Sequence, residues 1–177
     1  MNCEKFFFNF FEGDCLNVEV IELNEDLIIT GIEEYRRINP FLNSISFINP
    51  NNKIIFKKIP LDKIEINNPS IIIEFNEYLS ISKLKENFPN INVRSLHFNN
   101  CKLLPPDYII NFPNIVIENS ELFGPMIFQS NIISFIGEIK ISGSIHIIGN
   151  LQIMGQILVK YSNDNVNNHG SLTISSI

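Results

Sequence analysis

Val93-Arg94-Ser95-Leu96-His97-Phe98-Asn99-Asn100-Cys101-Lys102-Leu103 sets out a frame with apolar residues at places one, four, six and eleven and a cysteine at place nine. Phe112 to Leu122 repeats it, with Phe112, Ile115, Ile117 and Leu122 at the apolar places and Ser120 at the ninth. Leu61 to Ile71 gives Leu61, Ile64, Ile66 and Ile71, with Pro69 at the ninth. Two residues of alternating polarity per apolar pair are the mark of a strand. Recurrence near 20 residues then predicts one strand per unit, stacked so that neighbouring units bury a shared core.

Outward from these frames, the apolar pairs Leu96/Phe98, Ile115/Ile117, Ile133/Phe135, Leu151/Ile153 and Leu172/Ile174 continue the series. On the other side, Ile45 precedes Ile64 by 19 and Asn49-Pro50 precedes Asn68-Pro69 by 19. The last third is punctuated more finely: Gly137, Gly143, Gly149 and Gly155 are six apart, with alternating aliphatic residues between them. An uninterrupted strand from 133 to 159 would exceed ordinary strand lengths. The glycines are therefore expected to bend or end short strands.

The 177 residues, 45% hydrophobic and 18% charged, exclude a disordered chain and make one domain the expectation. Residues 1–40 read as an N-terminal capping segment. Within it, Val18–Leu23 and Leu27–Thr30 alternate as strands, and residues 32–38 suit one or two helical turns. Residues 41–177 read as the repeat-like β domain. Tyr78, Leu79, Ile81, Leu84 and Phe88 fit a helical face ended by Pro89. Asparagine-rich residues 162–169 read as a polar loop before a last strand, Ser171 to Ile177.

The Val93 frame resembles the leucine-rich-repeat consensus, in which four apolar places precede an Asn or Cys at the ninth. The Phe112, Leu61 and Ile148 frames follow it with Ser120, Pro69 and Gln156 there, and the resemblance covers roughly residues 42–177. It implies a parallel β-solenoid whose surface serves as a protein-binding face. The six-residue glycine spacing resembles hexapeptide β-helices, and an all-β sandwich also supplies short strands at such intervals. The fold class expected is mainly β, a parallel solenoid with one or two short helices.

A net charge of −6 and no basic stripe argue against nucleic acid as a partner. No run reaches the 18 apolar residues of a membrane span, and the aromatic stretch Phe6–Phe11 is too short for a signal-peptide core. Cys3, Cys15 and Cys101 are odd in number and irregular in spacing, which fits reduced thiols in an intracellular compartment such as the cytoplasm. On the repeat register His97 points outward, His146 falls elsewhere in its coil and His169 lies in the polar loop; they do not converge. Lys140, His146, Gln152 and Leu158 break the small-residue pattern that hexapeptide acyltransferases require. Glu118 and Glu121 flank a turn with no second carboxylate placed against them, and no phosphate-binding or nucleophile-elbow motif occurs.

The sequence thus predicts no catalytic residue, cofactor or metal site. It predicts a non-enzymatic interaction module that presents outward columns to a protein partner. One column is Ser46, Glu65, His97, Val116, Ser134 and Gln152; the next is Ile48, Asn67, Asn99, Glu118, Ile136 and Met154. The residues expected to carry binding are Glu65, Asn67, His97, Asn99, Val116, Glu118, Ser134 and Gln152. The second functional expectation is a self-assembling structural protein, a homo-oligomer joined through the C-terminal edge strand.

Overall fold

The computed structural model describes residues 20–77, 90–106, 108–160 and 169–176. Residues 1–19, with the aromatic run, and 78–89, where a helix is expected, lie outside them, as do 161–168 of the polar loop.

In chain order the strands are β1 (Ile21–Leu23), β2 (Leu27–Thr30), β3 (Ile45–Phe47), β4 (Lys53–Lys57), β5 (Ile66–Asn76), β6 (Ile91–Asn99) and β7 (Lys102–Leu103). They continue as β8 (Ile110–Asn111), β9 (Asn114–Glu118), β10 (Glu121–Phe123), β11 (Met126–Ser142), β12 (Ser144–Val159) and β13 (Ser171–Ser175). Among the described residues one α-helix, α1 (Ile32–Ile38), runs into a 3-10 turn, Asn39–Ser44. Every pairing between strands is parallel. The chain is a parallel β-solenoid of about five turns.

Each regular coil passes three walls. The longest wall stacks β2, β4, the ends of β5 and β6, β9, residues 132–136 of β11 and residues 150–154 of β12. The second joins β7, β10 and the ends of β11 and β12. The third joins β8, the starts of β11 and β12, and β13. Leu96, Ile115, Ile133 and Leu151 lie one above another, as their spacing predicts.

The inward column of the longest wall runs Ile29, Phe56, Phe75, Phe98, Ile117, Phe135, and all but the last are fully buried, Phe135 nearly so. Phe75 stacks on Phe56 at 5.4 Å and on Phe98 at 5.9 Å between ring centroids. Such offset rings add to the burial of the apolar area itself.

One corner defines the repeat. The residue after each pass along the longest wall has a left-handed backbone: Gly31 (φ 83°), Lys58 (59°), Glu77 (60°), Asn100 (53°), Asn119 (45°), Gly137 (72°) and Gly155 (152°). The amide of Gly31 donates to the Lys57 carbonyl one coil on, that of Asn100 to Glu118 and that of Asn119 to Ile136, at 3.0–3.1 Å. Glycine and asparagine tolerate this conformation best. At Gly137 a Cβ would run into the Asn119 side chain, whose Oδ1 accepts from the Glu138 amide at 3.1 Å.

Three expectations need correction. Ile64 and Ile66 do not stack on Leu96 and Phe98; Ile73 and Phe75 do. The N-terminal coils are uneven: Leu27 pairs with Ile54, Ile54 with Ile73 and Ile73 with Leu96, steps of 27, 19 and 23 residues, and no pairing joins Ile45 to Ile64. Leu172 and Ile174 pair with Ile145 and Ile147 on the third wall, off the column of Leu151 and Ile153. Gly137, Gly149 and Gly155 bend continuous strands round corners, which lets β11 run 17 residues and β12 run 16, and Gly143 separates the two.

Candidate functional site

The outward face of the longest wall is built by alternation: where Leu96 and Phe98 point in, Ser95, His97 and Asn99 point out. Three outward rows result. The first holds Lys53, Ile72, Ser95, Asn114, Ile132 and Asn150. The second holds Ile55, Glu74, His97, Val116, Ser134 and Gln152, and the third Lys57, Asn76, Asn99, Glu118, Ile136 and Met154. Strands about 4.8 Å apart make six of them roughly 24 Å long, a patch on the order of half a standard interface side.

Six of the eight residues singled out in the sequence therefore meet: His97, Val116, Ser134 and Gln152 in one row, with Asn99 and Glu118 beside them. Glu65 and Asn67 do not join them. They line an open cleft of about 550 Å³ on another side, with Asn39, Asn43, Asn90 and Asn92. There the Asn67 amide donates to Asn43 Oδ1 at 2.9 Å and Asn92 Nδ2 to Asn67 Oδ1 at 2.9 Å. Tyr35 anchors the cleft, accepting from the Glu65 amide at 2.8 Å and donating to Asn39 Oδ1 at 3.1 Å. Burial pushes its phenol pKa up from 10.0.

The places of Glu65 and Asn67 in the rows are taken by Glu74 and Asn76, and Lys53 joins them from the next row. Glu74 is 4% exposed although it points outward, and it is held by Lys53 Nζ at 2.8 Å. A carboxylate so buried requires such a partner. Adjacent in the row, His97 Nε2 lies 3.0 Å from Ser95 Oγ. The Ser95 hydroxyl has one proton, so it donates either to this nitrogen or to the Asn114 carbonyl at 3.4 Å. His97 points outward, as its register predicts, yet it is half-buried. Burial first, then the charges of Lys53 and Arg94, pull its pKa from 6.5 down to about 4. Arg94 itself reaches across the wall edge to the carbonyls of Ser70 and Pro50.

A Ser–His pair invites comparison with a nucleophile and its base. A base held near 4 has little affinity for a proton at neutral pH. The carboxylate beside it is engaged by Lys53. Lys53 and Glu74 join two neighbouring coils by an ion pair, and Ser95 lies within reach of both His97 and the Asn114 carbonyl of the next coil. His146 lies on the third wall, with Nε2 2.8 Å from Ser175 Oγ. Among the described residues no three His, Cys, Asp or Glu side chains gather to hold a metal ion, and no described helix is long and apolar enough to cross a membrane.

The ninth place of the frame turns inward at the corner. Cys101 is a buried thiol whose Sγ donates to the Phe75 carbonyl at 3.1 Å. Its amide donates to Ser120 Oγ at 3.0 Å, and Ser120 in turn donates to the Glu118 carbonyl at 2.7 Å.

No protein-family model, curated protein or solved structure matches this chain.

Proposed function

We propose that this solenoid is a non-enzymatic interaction module that holds a protein partner on the outward face of its longest wall. The observation that carries the reading is the composition of that face. Val116, Ile132, Ile136 and Met154 sit in rows with Asn99, Asn114, Asn150 and Gln152 on a rigid, hydrogen-bonded sheet. A few apolar anchors within a polar field are what protein recognition uses. The face pays little ordering cost on binding, because its side chains stand on paired strands. The ladder from Cys101 to Ser120 supports a leucine-rich-repeat-like unit, and the buried Cys101 thiol suits a reducing, intracellular setting.

The test places a photo-crosslinking amino acid at Asn99 or Glu118 on this face and at Ile127 on the third wall of the full chain. The expected result is one protein species captured from the first two positions and not the third, with capture lost in Val116→Lys/Ile136→Lys at unchanged far-UV circular dichroism. Equal capture from all three positions, or capture undiminished in the double variant, overturns the assignment.

A further inference from the structure

The two ends of the solenoid finish differently. At the C-terminal end the inward column of every wall stops in the open. Ile153, above Phe135, is 51% exposed; Val159, above Ile141, is 50%; Ile174, above Ile147, is 53%. Outward-facing Met154 and Leu158 add to the same rim. The first described rungs, by contrast, bury Ile29 and Ile21 at 0% and 2%.

The terminal edges also lack the devices that blunt an edge strand. Asn150–Val159 and Ser171–Ser175 hold no charged residue and no proline. Residues of the first rungs, by contrast, include Glu22, Glu25, Asp26, Glu33 and Glu34. Uncharged edges with free backbone groups are templates for another strand.

We infer that the C-terminal rung is the contact through which two copies of this chain join end to end about a two-fold axis. A copy presents the apolar end that this surface lacks, and brings no like charges together. Head-to-tail stacking would need an open inward column at the other end, where Ile29 and Ile21 are covered. The isologous arrangement is therefore the one the surfaces allow, and it closes at two. Corners at Gly149 and Gly155 leave residues 150–154 straight. That segment pairs antiparallel with its own copy around Gln152, and the end of β12 then faces β13 of the other copy. Residues 150–154, 156–159 and 171–175 make about 14 residues of edge, which at about 3.3 Å each give a seam of roughly 46 Å. The contact buries on the order of 1,000 Å² in total, the size of a reversible association.

Sedimentation equilibrium of the full chain tests this. The weight-average mass is expected to rise with concentration from one chain and level off at two. Ile153→Lys and Val159→Lys are expected to weaken the dimer at least tenfold with unchanged circular dichroism. An equal mixture of Ile153→Lys and Ile153→Glu is expected to restore it, because each meets its opposite near the axis. A mass of one chain throughout would mean that another segment of the same chain occupies this end, and overturns the inference. So does growth past two chains, or Lys variants that dimerise as the wild type does. The surface proposal is read by cross-linking, so the two stand or fall separately.

Discussion

Ile29 and Ile153 occupy the same inward column of the same wall, one in its first rung and one in its last. The first is fully buried and the second half exposed. Their strands have similar alternation and similar composition, so the difference does not come from propensity. It comes from neighbours: an inward side chain in a stacked coil is dry only when it is covered on both sides, and Ile153 has a described coil on one side alone. The same contrast appears on the outer surface. Glu74 and Ser95 are buried between neighbouring coils, whereas Gln152 and Met154, further along those rows, are exposed. A repeat structure does not assign burial by residue type; it assigns burial by position in the stack.

The sharpest way to break this comparison is to cut the same column twice. Phe75→Ala removes a ring stacked between Phe56 and Phe98 and is expected to cost about 3–5 kcal/mol in denaturant unfolding. Ile153→Ala is expected to cost less than about 1 kcal/mol; equal costs would erase the distinction between middle and end.

Next in size is the pH response of the middle rungs. The folded pKa of His97 lies near 4, below its ordinary 6.5, so the unfolded chain binds the extra proton first as pH falls. Stability is whole above 6.5, declines as pH falls toward 4 and levels off below it. The loss is on the order of 3 kcal/mol at most. His97→Gln is expected to flatten that window in thermal melts between pH 7 and 4.

The corner column sharpens the comparison at about 1–3 kcal/mol. Gly137→Ala forces a Cβ against Asn119 at positive φ and is expected to destabilise by that amount. Lys58→Gly, at the same corner with φ 59°, is expected to be neutral or to gain about 0.5 kcal/mol. Ser120→Ala, which leaves the Cys101 amide without its acceptor, is expected to cost about 1 kcal/mol. Matched unfolding curves order all of these.

Much of the stretch from 91 to 159 is legible in the sequence, because its coils step by 18 or 19 residues, whereas the last coil, from Ile145 to Leu172, takes 27. Leu96, Ile115, Ile133 and Leu151 keep their spacing, and the six-residue glycines mark the corners. Asn100 and Asn119 belong to the same corner series as Gly137 and Gly155, a signal present in the spacing. Lys58 and Glu77 at that corner give no such sign. In the N-terminal half, alternation identifies Ile64 and Ile66 as inward, and they are buried. It does not say which wall they belong to, since period-two patterning distinguishes inside from outside and nothing more. Longer loops at the corners then shift the count, as between Leu27 and Ile54. For the same reason the spacing puts Glu65 and Asn67 in rows that Glu74 and Asn76 occupy.

The sequence by itself determined that this chain is a stack of short strands with Ile and Phe inside, because side chains alternate across a strand whatever lies beyond it. Only the tertiary structure decided which strands share a wall, why Lys53 and Glu74 stand beside His97, and which end of the stack lies open. Those depend on loop lengths at the corners and on what lies above each coil, and neither is written in the alternation of any one strand.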